Sequence, residues 1–127
     1  EDARLAVDSG ADALIVSNHG GRQLDGAPSS IAALPGIVQA VGKDIEVWMD
    51  GGIRSGQDVL KARALGARGT LIGRSFLYGL GAYGELGVMR VLEIIRKELD
   101  LTMAFCGRTD INTVDTSILL PGTYPTA

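Results

Sequence analysis

The sequence predicts an α/β fold made of parallel strand–helix units. Short apolar runs at Ala13–Ser17, Ile45–Met49 and Gly69–Ile72 alternate with stretches of helical periodicity. That alternation pairs strands in parallel through crossover helices. A polar, glycine-bearing loop follows each run: Asn18-His19-Gly20-Gly21-Arg22, then Asp50-Gly51-Gly52-Ile53-Arg54, then Gly73-Arg74. In parallel β/α folds the ligand-binding loops gather at the strand C-termini, so these segments are expected on one face.

The elements follow in chain order. Asp2–Ser9 reads as a helix with Leu5 turned inward and Gly10 as its left-handed stop. Beyond the first strand and its loop, Ser29 or Ser30 can cap a short helical turn. Pro35 is expected to interrupt that turn and to suit the start of a second helix at Gly36–Val41. Lys43-Asp44 turns the chain into the second strand, where the lone Trp48 is expected in the core. Ser55, with Asp58 three residues on, resembles a capping arrangement for a helix that reaches Leu65 and stops at Gly66. After the third strand, Arg74–Leu80 reads as a short helix. The longest helix runs from about Tyr83 to Phe105 and ends at Gly107. Its Val88, Val91, Leu92, Ile95, Leu99 and Met103 recur at helical spacing as a packing stripe. Tyr78 and Tyr83 read as packing residues, and the tail through Pro121-Gly122-Thr123-Tyr124-Pro125 as irregular.

Composition narrows the function classes. A length of 127 residues is one domain at most, and 46% apolar content is ample for a core. The net charge of −3 gives no electrostatic case for nucleic-acid binding. Eighteen glycines, about twice the average usage, point to many tight turns. The single Cys106 excludes an internal disulfide, fits a reducing compartment and reads as a small buried hydrophobe in a helix. No apolar stretch approaches the ~18 residues that cross a bilayer, and no signal peptide is visible. There is no metal-ligand cluster; Asp8, Asp12 and Glu46 read as solvated surface. The chain opens inside a helical pattern, Glu1-Asp2-Ala3-Arg4, without an initiator methionine, and so reads as a piece of a larger protein.

The three loops carry the chemistry. His19 is the only histidine, and it stands three residues from Arg22 with two glycines between. An imidazole can accept a proton near neutral pH, and a guanidinium can clamp a carboxylate through two parallel hydrogen bonds. Together they read as a base and an anion anchor at the mouth of a strand; Gln23 and Leu24 read as loop packing. The Gly51-Gly52 pair exposes backbone N–H groups that can cradle a phosphate, and Arg54 adds charge. Gly73-Arg74 follows the next strand and opens a helix whose N-terminus favours an anion. From the residues alone, this second pair of loops is an anion site.

The run Ser17-Asn18-His19-Gly20-Gly21-Arg22-Gln23-Leu24-Asp25, followed by Asp50-Gly51-Gly52-Ile53-Arg54 and Gly73-Arg74, resembles the FMN-dependent α-hydroxy acid dehydrogenase/oxidase family. The likeness covers nearly the whole chain, in matching order and spacing. It implies the C-terminal part, about three β/α units, of a TIM (β/α)₈ barrel, with residues 1–127 belonging to one barrel domain. The implied cofactor is FMN. By that resemblance His19 is the active-site base, taking either the α-hydroxyl proton or the α-proton, and Arg22 binds the substrate carboxylate. Asp50 meets the ribityl hydroxyls, while Gly51, Gly52, Arg54, Gly73 and Arg74 serve the phosphate region. The aspartate that orients the base in the family lies upstream of this chain, and Asp25 is too close along the loop to assume that role. The family's flavin lysine and substrate tyrosines also lie upstream.

The resemblance further implies oxidation of an (S)-2-hydroxy acid, L-lactate foremost, to the 2-keto acid. Quinone, cytochrome or oxygen would be the electron acceptor. A glycolate or other 2-hydroxy acid oxidase and a different phosphate-binding FMN barrel are the alternative enzymes; an inactive fragment is the non-enzyme alternative. A homo-oligomer, a tetramer by resemblance, is expected in the cytoplasm, with the inner membrane face as a second station because quinone-linked relatives work there.

Overall fold

The computed structural model describes residues 1–124. Strands β1 (Ala13–Val16), β2 (Glu46–Met49) and β3 (Gly69–Thr70) form one parallel sheet in the order β1-β2-β3. The expected alternation is therefore present. β3 is shorter than the sequence suggests: Leu71 N still donates to Met49 O (2.9 Å), but the ladder ends there and the chain turns out into the third loop. Side chains alternate across the sheet. Val16, Val47 and Met49 are buried under the helices, while Ile15, 52% exposed, lies on the opposite face, which no helix among the described residues covers.

Trp48, expected in the core, is half-buried on that open face. It alternates with Val47 and Met49, and its ring lies over Gly69, where an added Cβ would sit 2.5 Å from it. Its Nε1–H donates to Glu46 Oε2 (3.0 Å). Glu46 is thus more than plain solvated surface: it also pairs with Arg68 at 3.3 Å. The Trp48 hydrogen bond, reinforced by Arg68, holds its carboxyl below the usual carboxylate range.

Helix α1 (Asp2–Asp8) packs Ala3 and Val7 on the core. Leu5 points outward, 57% exposed, because it lies two residues, about 200°, from each of them on the helix. Helix α2 (Ser30–Val41) runs through Pro35 rather than being interrupted by it. A proline at this depth forfeits one backbone bond and costs about 3 kcal/mol or more. The helix persists because Leu34, Pro35 and Val41 are all buried, Leu34 completely. Ser29 occupies the cap position without a side-chain cap bond, and the buried Ser30 hydroxyl has no partner among the described residues.

Helix α3 (Gly56–Ala64) starts at the expected capping box: Ser55 Oγ accepts from Asp58 N (3.3 Å) while Asp58 Oδ2 accepts from Ser55 N (3.0 Å). Helix α4 (Arg74–Phe105) contains a break at Tyr83 and Gly84, where φ is −143° and +60°. The two helices read from the sequence are its two arms. Of the expected stripe, Ile95 and Met103 are buried and Val88, Val91 and Leu99 half-buried. Leu92 turns to solvent, as do Tyr78 and Tyr83, which were expected to pack. Cys106 ends α4 in an exposed position, not a buried one. Residues 108–124 are irregular apart from two single turns, as expected; Pro125 lies outside the described residues. Arg63 holds this segment to α3 by donating to Ile111 O (3.1 Å).

The core has two parts. One lies between the sheet and α2 and α3, around Leu34, Val47, Met49 and Leu65; the other lies between α3, α4 and Val114. Gly56 marks the closest approach of α3 to α4. Its N–H donates to Glu98 Oε2 (2.9 Å), and an added Cβ would collide with the Leu99 backbone N. Gly56→Ala is expected to lower stability by about 1–3 kcal/mol, the usual cost of overpacking. A thermal melt checks this; an unchanged Tm would show that the two helices can move apart freely.

Candidate active site

The first loop is built on backbone strain. His19, Gly20 and Gly21 have φ of +54°, +65° and +70°, and His19 is the only non-glycine with positive φ among the described residues. That conformation costs an L-residue on the order of 1–2 kcal/mol. The two side chains just before the turn offset it. Ser17 Oγ accepts from His19 N (3.1 Å), Asn18 Oδ1 accepts from Gly20 N (3.1 Å), and Asn18 Nδ2 donates to Pro28 O (3.3 Å). Asn and Ser are suited to such turns because their short polar side chains reach backbone two residues on.

The second and third loops are tied to helices. Asp58 Oδ2 accepts from Arg54 N as well as Ser55 N, each at 3.0 Å, so the α3 cap also sets the Arg54 backbone. Ser75 Oγ donates to Ile53 O (3.2 Å) and joins the second loop to the start of α4. Gly51 and Gly52 sit at φ +83° and +81°. Gly51 is hemmed in: an added Cβ would lie 3.0 Å from Ser30 Oγ and 3.3 Å from Asn18 Oδ1, whereas one on Gly52 would meet nothing.

All three loops open into one cleft of about 610 Å³. His19 and Arg22 line it from the first loop, Asp50, Gly51, Gly52 and Arg54 from the second, and Gly73 and Arg74 from the third. The eight residues singled out from the sequence are therefore brought together. Gln23 and Leu24 do not pack the loop; Leu24 is 68% exposed, and neither lines the cleft. Sequence reasoning missed the apolar lining from Leu71, Ile72 and Leu77 and the tethers Asn18 and Ser75. Asn18 was detectable as a turn-forming residue directly before the glycine loop.

The donor set defines what the cleft can hold. Among the described residues neither Arg54 nor Arg74 has an ion-pair partner, and both face the cleft beside the start of α4. The first N–H groups of a helix lack partners within it, so this end of the cleft suits an anion. Among the described residues Asp50 is the one carboxylate in the lining, and its buried Oδ1 has no hydrogen-bond partner. It suits a ligand hydroxyl that can donate. A phosphate at one end and a polyol further in therefore fit the residues present.

Three parallel β/α units with a cleft at their strand C-termini are part of a (β/α)₈ barrel. Residues 1–121 match the FMN-dependent dehydrogenase family, and the chain belongs to it. FMN is the cofactor of that family, and the cleft's donors fit it. The chain is 54% identical over 119 residues to an L-lactate dehydrogenase of Caulobacter vibrioides, covering 94% of this chain and 31% of that protein. It is 52% identical over 122 residues to a pre-mycofactocin synthase of Mycolicibacterium smegmatis, covering 95% and 31%. A solved mandelate oxidase mutant with a monooxide FMN adduct superposes with a TM-score of 0.86 at 50% identity, over 89% of this chain and 36% of that one. The chain thus spans about a third of the length of these relatives and matches their C-terminal part.

The contrast between the two glycines gives a direct test of loop packing. Gly52→Ala is expected to lose only the left-handed backbone term, about 1–2 kcal/mol. Gly51→Ala should lose more, because its Cβ also crowds Asn18 and Ser30. Paired thermal melts check the order; equal losses would mean that the first and second loops do not press on each other.

Proposed function

We propose that this chain is the part of an FMN-dependent (S)-2-hydroxy acid oxidoreductase that carries the base, the carboxylate anchor and the grip on the cofactor phosphate, with L-lactate as substrate. The observation that supports this is the meeting of His19 and Arg22 with Asp50, Arg54 and Arg74 in a single cleft. Oxidation of a 2-hydroxy acid to the 2-keto acid removes two electrons and two protons. FMN, when bound, supplies the two-electron acceptor. His19 takes a proton from the substrate, from either the α-hydroxyl or the α-carbon. Arg22, three residues on, clamps the substrate carboxylate through its planar fork and so places the α-carbon for reaction. Asp50 accepts from the ribityl hydroxyls, and Arg54, Arg74 and the backbone of Gly51, Gly52 and Gly73 hold the phosphate. The electron acceptor that completes the cycle is a quinone, a cytochrome or oxygen.

Lactate is preferred because of the 54% identity to a lactate dehydrogenase. The nearly equal 52% identity to pre-mycofactocin synthase favours a second reading, the same site serving a different substrate. Titrating the flavin-loaded protein that carries this chain with L-lactate separates them. Bleaching of the blue-region flavin band supports the first reading, and a band unmoved by any 2-hydroxy acid sinks it.

Two substitutions test the division of labour. His19→Gln should leave FMN bound and reduce turnover by about 10²–10⁴-fold, the usual worth of a general base. A loss under about tenfold in steady-state rates would remove His19 from that role. Arg74→Ala should weaken FMN by roughly ten- to a hundredfold while sparing chemistry in flavin-saturated protein, since a charge-assisted contact is worth about 1.5–3 kcal/mol. Equilibrium dialysis measures this, and unchanged retention would take Arg74 off the phosphate.

A further inference from the structure

We propose that Asn18 is a positioning residue: its carboxamide holds His19 in its left-handed conformation and seats the His19 loop against the cofactor loop. This rests on His19 acting as the base. Asn18 is half-buried and uses both ends of its side chain, accepting from Gly20 N beyond His19 and donating to Pro28 O at the far end of the same loop. The imidazole itself makes no hydrogen bond among the described residues, so what this chain contributes to its placement is the backbone beneath it.

That backbone is held at φ +54°, a conformation that persists in a non-glycine residue only where the surroundings over-determine it. Asn18 supplies two of those restraints, and a third contact links it to the second loop. Its Oδ1 stands 3.3 Å from where a Cβ on Gly51 would be, so the carboxamide lies against the loop that is assigned to the FMN phosphate and ribityl chain. One amide therefore joins the proton-accepting loop to the cofactor loop. A residue that only accepts, such as aspartate, keeps the bond from Gly20 and loses the one to Pro28.

The experiment is a double-mutant cycle on the flavin-loaded protein that carries this chain, with L-lactate, or whichever 2-hydroxy acid bleaches its flavin, as the probe. Asn18→Ala should retain the flavin spectrum, leave KM nearly unchanged and lower kcat on the order of a hundredfold, the effect of a misplacement of about 1 Å. Asn18→Asp should recover part of that loss. In the His19→Gln background Asn18→Ala should change kcat by no more than roughly twofold, because no base remains to be placed. Losses that multiply in the double variant overturn the proposal, as does an effect confined to KM. Should Asn18→Ala fail to fold, the same cycle run with Asn18→Asp decides the matter by the same criterion. If His19→Gln alone costs less than about tenfold, the base assignment fails first and the Asn18 proposal with it.

Discussion

The joint on which the site depends is the start of α3. Asp58 Oδ2 gathers the N–H groups of Arg54 and Ser55 and the Ser55 hydroxyl, and the Glu98 carboxylate on α4 takes the N–H of Gly56. Two carboxylates thus satisfy donors that a helix start otherwise leaves without partners, and their negative charge suits the positive end of the helix dipole. Because Glu98 belongs to the second arm of α4, capping α3 also fixes where that arm lies. The glycine at position 56 allows the two backbones to touch, so the arrangement has little slack.

That joint sets the end of the second loop directly. Arg54 is the last residue before the cap, whereas Arg74 opens the first arm of α4, which reaches the joint through the Tyr83–Gly84 break and the close approach of Gly79 to Gly87. The Ser75 hydroxyl on Ile53 O closes the connection on the cleft side. The His19 loop is held differently, by Ser17 and Asn18 from within and by contact with Gly51. The loops proposed to grip the cofactor and to take the proton are therefore held by separate restraints that meet at Asn18. The sheet beneath them presents Ile15, Trp48 and Leu71 on a face that no helix of the described residues covers, with Trp48 seated over Gly69.

Much of the fold was legible in local pattern. The capping box of Ser55 and Asp58, the three strand–loop junctions and the interruption near Tyr83 are each determined by a few neighbouring residues, and all appear. The departures share a cause. Pro35 stays inside α2 because burial of its neighbours against the sheet outweighs a lost hydrogen bond. Leu5, Leu92 and Trp48 were placed by their hydrophobicity, yet the helix or strand phase set by better-buried neighbours turned them elsewhere. Periodicity gives the type of an element more securely than its phase, because phase depends on partners distant in the chain.

For the site, the sequence by itself determined which residue types stand after each strand: a base and a guanidinium, then a glycine pair with an arginine, then a second glycine and arginine. Parallel topology made their convergence an expectation, since strand C-termini share one end of a sheet. Only the tertiary structure decided that the eight residues line one cleft, that Asp50 keeps an unpartnered buried oxygen there, and that His19 sits in a strained turn braced by Asn18. Those facts rest on distances between loops separated by tens of residues and on a backbone angle that no residue type prescribes, so they exist only once the helices have packed.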